Sequence, residues 1–168
     1  MVDFDRISLI YMHLHLIVVG KLKEEYWREA EKEYLKRLKS SNELVIHEIK
    51  EESFTEKDPV GMIKEKEGKK ILETLGKIRD SLVVALEEKG KQFDSEGFAK
   101  NLSNWAGLSH SVTFIIGGPL GLSREVVAKA NMTMSLSPLT FTHQMARVIL
   151  LEQIYRAMMI ASNRKYHY

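Results

Sequence analysis

Three short apolar runs limit what this chain can fold into. Residues 14–19 (LHLIVV), 81–86 (SLVVAL) and 112–116 (VTFII) are too short for buried helices. They are almost continuous rather than alternating, so as strands they need cover on both faces. The stretches between them carry helical periodicity. In residues 21–40, Trp27, Ala30, Tyr34 and Leu38 fall at three- and four-residue steps among mostly charged neighbours. That is an amphipathic helix whose Lys/Glu side is solvated. Residues 43–49 (ELVIHEI) read as another strand, and the polar stretch 50–59 as a loop. A helix is expected over 60–76, with Val60, Ile63, Ile71, Leu72 and Leu75 inward and Gly68 weakening its middle. Residues 87–90 (EEKG) read as a turn.

Asp94 or Ser95 can cap a helix reaching about Trp105, with Phe98 and Leu102 on its inner face. After the strand at 112–116 comes Gly117-Gly118-Pro119-Leu120-Gly121, and then Ser123 as the cap of a further helix with Glu125 in its first turn. Met132, Met134 and Leu136 alternate as a fifth strand should. The last helix spans 143–161. Strands alternating with helices predict an α/β fold: one domain over 12–168, with a mostly parallel sheet and helices on both faces. Residues 1–11 stand apart. They are either an N-terminal extension packed on the surface or sequence upstream of a true start at Met12.

The length of 168 residues suits a single core. The chain has no cysteine, so disulfides, thiolate metal sites and cysteine nucleophiles are excluded, and a reducing, cytoplasmic setting is expected. The net charge of +2 argues for no polyanion partner by itself, so any basic footprint must be local. No apolar run reaches the ~20 residues of a membrane helix, and residues 7–19, broken by His13 and His15, do not make a signal peptide. No membrane association is expected.

The final helix is apolar on nearly every face, through Met145, Val148, Ile149, Leu150, Leu151, Ile154, Tyr155 and Met158 to Ile160. Such a helix must be buried all round. One flank can lie on the sheet; the other points to a second copy of the chain, a homodimer, unless the helix is enclosed within one subunit.

Two loops follow strands and lead into helices, where α/β proteins place ligands. In the first, Gly117, Gly118 and Gly121 allow close backbone approach, in a pattern that is neither a Walker A loop nor GxGxxG. In the second, Ser135, Ser137, Pro138, Thr140 and Thr142 can either cap the last helix or wall a shared pocket. The histidines form no metal motif, and no metal is expected. His143 and Arg147 open the last helix beside the second loop. Arg147 and Arg156 lie nine residues apart, which at ~100° per residue puts them on opposite sides. Glu152 can pair with Arg156 at four-residue spacing. From His143 onward, four Lys/Arg face one acid, and the tail ends in Tyr166, His167 and Tyr168. Such a tail can hold phosphates and stack on a base, or it can simply fray.

Taken together, VVGKLKEEYW (18–27), EKEG (65–68), FIIGGPLGLS (114–123), SLSPLTFTHQMARVILLEQIYRA (135–157) and the terminal KYHY resemble the RlmH family of SPOUT methyltransferases. The likeness runs from Met12 to Tyr168 and leaves out residues 1–11. It implies an α/β domain whose C-terminal part forms a trefoil knot, a rare exception among folds. It also implies a homodimer that binds S-adenosylmethionine. The implied reaction is methylation of nitrogen 3 of a pseudouridine in helix 69 of 23S ribosomal RNA, on assembled ribosomes. Carried onto this sequence, the cofactor contacts fall on Leu86, Gly117, Gly118 and Gly121, and on Leu136, Ser137, Pro138, Leu139, Thr140 and Phe141. Leu120 and Pro138 depart from residues common in the family, but neither change removes a backbone contact. His143, Arg147, Arg156, Tyr166 and His167 are the expected substrate-side residues. Methyl transfer from a sulfonium needs an in-line nucleophile and no metal, and positioning supplies much of the acceleration. Two other readings stand beside this one: a methyltransferase of another RNA such as transfer RNA, and a non-catalytic RNA-binding dimer.

Overall fold

The computed structural model describes residues 12–39 and 42–162. Five strands alternate with five helices: β1 (Met12–Val19), α1 (Glu25–Leu38), β2 (Asn42–Ile49), α2 (Val60–Leu75), β3 (Ser81–Lys91), α3 (Ser95–Leu108), β4 (Ser111–Ile116), α4 (Arg124–Lys129), β5 (Met132–Met134) and α5 (His143–Ala161). The strands form one sheet in the order β2-β1-β4-β3-β5, and every pairing is parallel. All five C-terminal ends therefore lie along the same edge.

The apolar runs are covered on both faces, as their composition requires. Leu14, Leu16 and Val18 of β1, with Val112, Phe114 and Ile116 of β4, face a core shared with α1, α3 and α5. Ile17, Val19 and Ile115 face the opposite core, beneath α2 and α4. Phe98, Trp105 and Phe114 meet in the first core with ring centroids 6.2 to 6.4 Å apart, a tilted and edge-on cluster. Asp94 caps α3 by accepting from the Gly97 amide at 2.7 Å, and Ser123 caps α4 by accepting from the Val126 amide at 3.3 Å.

The expected turn at residues 87–90 is a correction: extended backbone continues to Lys91. Leu86 and Lys91 both pair with Met134, so the strand bulges between them. Gly90 makes the bulge possible, because a Cβ there would sit 2.5 Å from the Met134 carbonyl carbon. The alternation at 132–136 is shorter than expected; β5 ends at Met134 and Leu136 already belongs to the following loop.

Gly68 has a packing reason. It is buried in mid-helix where α2 crosses α4, and a side chain there would run into Ser123. A Gly68→Ala substitution is expected to destabilise the protein by ~1–3 kcal/mol through overpacking, despite the better helix propensity of alanine. Gly61, with nothing within 4 Å of its would-be Cβ, should accept alanine with a gain of up to about 0.5 kcal/mol. Urea titration of the two variants checks the opposite signs.

Within the sheet, His15 Nδ1 lies 3.1 Å from His47 Nε2 across β1 and β2. Burial lowers the pKa of both rings from 6.5; His47 and His13 push His15 further down, and Glu43 opposes. The folded state thus binds fewer protons here than the unfolded chain does. This stability is present above pH 6.5 and is lost as the pH falls below that value. Thermal unfolding should show a drop in Tm from pH 7.5 to pH 5.5, and His47→Gln should flatten that slope.

Candidate functional site

Where the strands end, two loops close around a cavity of about 870 Å³. The glycine-rich turn forms one wall. Gly121 sits at φ +82°, its amide donates to the Gly118 carbonyl at 2.9 Å, and a Cβ on Gly117 would lie 2.8 Å from the Gly121 carbonyl carbon. Only glycine allows the backbone to fold this tightly. Residues 135–142 form the opposite wall and are held by their own hydroxyls. Ser135 Oγ donates to the Ser137 carbonyl at 2.9 Å, and Ser137 Oγ accepts from the Leu139 amide at 3.0 Å. Thr142 caps α5 by accepting from the Met145 amide at 3.3 Å. The serines and threonines therefore do both things open to them: they start the helix and they shape the pocket.

The third wall is the end of β3. Leu86 lines the cavity with Glu87, Glu88 and Lys89. The Thr140 hydroxyl donates to Glu88 Oε1 at 2.8 Å and ties the second loop to this strand. Reading 87–90 as a turn hid these residues. Their position at a strand's C-terminal end was the available signal. Lys64 of α2 also reaches the cavity, and it was missed because α2 reads only as a supporting helix.

Among the residues expected at a cofactor, Leu86, Gly117, Gly118 and Gly121 line the cavity. So do Leu136, Ser137, Leu139, Thr140 and Phe141. Pro138 is exposed and does not line it.

The substrate-side candidates divide. His143 lines the cavity, with its Nε2 buried and without a hydrogen-bond partner. That atom would lie 2.9 Å from a Cβ on Gly20, so the bare backbone at the end of β1 makes room for the ring. Burial lowers the His143 pKa from 6.5; Glu51 opposes this, while Lys23 and Arg147 add to it. The ring is therefore neutral near pH 7. Next to it, Gln144 Oε1 accepts from the Lys23 amide at 2.7 Å, fixing the start of α5 to the end of β1.

Arg147, expected on the substrate side, is turned inward in this structure. It is 4% exposed and points into the protein. Its Nη2 and Nε both bond to Glu31 of α1, the former at 2.9 Å, and its Nη1 donates to Glu48 of β2 at 2.9 Å. Arg156 is partly exposed on another side of α5 and donates to Glu152 through Nε at 3.0 Å, the pairing its spacing predicts. Tyr166 and His167 lie outside the described residues, as do residues 1–11. Among the described residues no group of three side chains is placed to hold a metal, and no helix is long and apolar enough to cross a membrane.

A family model described as Predicted SPOUT methyltransferase matches residues 12–167. The chain belongs to the SPOUT methyltransferase family. Its relatives include proteins named Ribosomal RNA large subunit methyltransferase H. That of Clostridium perfringens strain 13 is 45% identical over 162 residues, spanning 93% of this chain and 99% of the relative. Those of Clostridium acetobutylicum and Halothermothrix orenii are 45% and 42% identical with the same coverage. Membership of this family implies a methyl donor.

Breaking the Arg147 network leaves two carboxylates without their partner, one of them mostly buried. Arg147→Ala is expected to cost about 3 kcal/mol in urea unfolding. Removal of the exposed Arg37–Glu33 pair, whose side chains are 42% and 51% accessible, should cost under ~1 kcal/mol.

Proposed function

We propose that this chain methylates nitrogen 3 of a pseudouridine in helix 69 of 23S ribosomal RNA on assembled ribosomes. In this reading it uses S-adenosylmethionine and works as a cytoplasmic homodimer with a knotted C-terminal part. The cavity between the two loops carries the reading, in a chain whose relatives are named for ribosomal RNA methylation over 93% of its length.

The donor set fits S-adenosylmethionine. The cavity's ~870 Å³ falls within the range of small-molecule sites. Leu86, Ile116 and Leu136 offer apolar surface for a flat base, and Glu88, Ser137 and Thr140 offer polar groups near it. A Cβ on Gly117 would meet Gly121 and Leu122, and one on Gly118 would meet Val19 and Glu67, so this wall keeps its shape only with glycine at both positions. Bound there, the cofactor supplies a methyl group on a sulfonium.

The acceptor nitrogen is imide-like and must lose its proton. His143 is taken as the ring that meets it, supported by its neutral state and its position in the cavity lining. Arg156, Tyr166 and His167 complete the proposed RNA-facing set. Arg147 serves the site by fixing the helix that carries His143.

The dimer reading rests on α5. Leu150, Leu151, Ile154 and Ala157 are buried within the chain, but Val148, Ile149, Tyr155, Met159 and Ile160 are only half-covered, and Met145 and Leu139 are exposed. Burying that flank against a second copy removes further apolar area from water.

Labelled S-adenosylmethionine supplied to intact ribosomes, free ribosomal RNA and transfer RNA tests the substrate. Label should enter ribosomes and be lost when they lack the pseudouridine; label on transfer RNA alone would overturn the reading. Calorimetry should show cofactor binding by the wild type and none by Gly117→Ala, whose new Cβ closes the turn. Sedimentation of the same wild-type sample should give twice the mass of one chain.

A further inference from the structure

One face of α2 lies against the back of the glycine-rich turn. It carries Lys64, Glu67 and Gly68, spaced to share a helix face, and each meets a different part of the segment beyond β4. Lys64 Nζ ends 3.8 Å from where a Gly121 side chain would begin, and Gly68 is bare where Ser123 crosses. Between them, Glu67 Oε2 lies 3.1 Å from the would-be Cβ of Gly118, with Val19 Cγ1 at 3.0 Å from the same point.

Glu67 is 2% exposed and does not line the cavity. Its Oε1 accepts from the Glu52 amide at 3.0 Å, in the loop joining β2 to α2. Burial pushes its carboxyl pKa up; the Glu52 amide opposes, the Glu51 and Glu52 charges add to the rise, and Lys70 opposes. A buried carboxyl with two acidic neighbours is an expensive way to fill space, because an apolar side chain of the same size would fill it without the desolvation cost. What the carboxyl provides that an apolar group cannot is the hydrogen bond to the Glu52 amide, made from a side chain that packs beneath Gly118.

We propose that Glu67 is a positioning residue for the methyl-donor site, which holds the β2–α2 loop through the Glu52 amide while packing directly beneath Gly118, and thereby sets the backbone path of the turn 117–121. This rests on the reading of the cavity as the donor site. It predicts that Glu67 opposes stability while supporting binding, a combination that a purely structural residue does not show.

The test compares wild type with Glu67→Gln, which keeps an acceptor, and Glu67→Met, which keeps the volume and removes it. Three quantities are measured on the full chain: thermal unfolding, amide hydrogen exchange at residues 117–122 without ligand, and the calorimetric Kd for S-adenosylmethionine. Glu67→Met should unfold at the wild-type temperature or higher, yet exchange at 117–122 faster and bind the cofactor about tenfold more weakly, as expected of a loosened site wall. Glu67→Gln should stay within about twofold of wild type in both exchange and Kd. Wild-type exchange and affinity in Glu67→Met would overturn the proposal, and so would a loss of binding that only follows a loss of stability. If the wild type itself bound no S-adenosylmethionine, the cofactor reading would fail, and the exchange comparison would still decide the role of Glu67.

Discussion

The guanidinium of Arg147 is the one buried cation among the described residues, and the placement of the last helix depends on it. An apolar helix can slide or turn on an apolar sheet at little cost, because dispersion and burial are not directional. The Arg147 fork is directional. It donates two bonds to Glu31 on α1 and one to Glu48 on the edge strand β2, so α5 has one rotation and one height at which the charge is satisfied. As net stabilisation such a network is a doubtful asset, since desolvation consumes much of its Coulomb energy. As a constraint it is strong, because any other placement of α5 strands the charge.

That constraint acts at the site. His143 and Gln144 lie in the turn of α5 just before Arg147, and the loop 135–142 runs directly into that turn. With the start of α5 pinned by Arg147 and by the Gln144–Lys23 bond, the second loop has a fixed anchor at one end and β5 at the other. The glycine turn is similarly held between β4 and the Ser123 cap of α4. The parallel sheet brings these anchors to one edge, and the β3 bulge bends Glu88 to where Thr140 can reach it. The cavity results from fixed ends, with few bonds between the loops themselves.

The sheet, its parallel sense and all five helices were legible because they follow from apolar period and length. The runs at 14–19 and 112–116 leave no alternative to doubly covered strands, and α5 occupies the expected residues. What was not legible depends on contacts distant in sequence. Residues 87–90 look like a turn because Glu, Lys and Gly favour one locally. Only the proximity of the Met134 backbone shows that Gly90 is a bulge residue. Arg147 looks like a substrate ligand beside a loop, and nothing near it in sequence announces Glu31 and Glu48, which are 116 and 99 residues away. Gly68 looks like a weak point in a helix until Ser123 is seen against it. The cavity's nine lining residues among those expected came from two loop patterns and a family likeness, not from any one motif.

Polar groups along the strands and those beyond their C-terminal ends are treated differently. Along the strands, Ser81 and Thr113 share a hydroxyl contact of 2.6 Å, and His15 pairs with His47. At the C-terminal edge, His143 Nε2 is buried without a partner, Glu67 is buried beside two other carboxylates, and Gly20 and Gly121 hold positive φ. The unpartnered ring nitrogen and the buried carboxyl each cost stability, and both lie beside the two loops. A chain optimised only for folding would remove them, since an apolar residue at 67 would avoid the cost of burying a carboxyl. Their place at the edge where both loops meet supports the proposal that this edge carries the site.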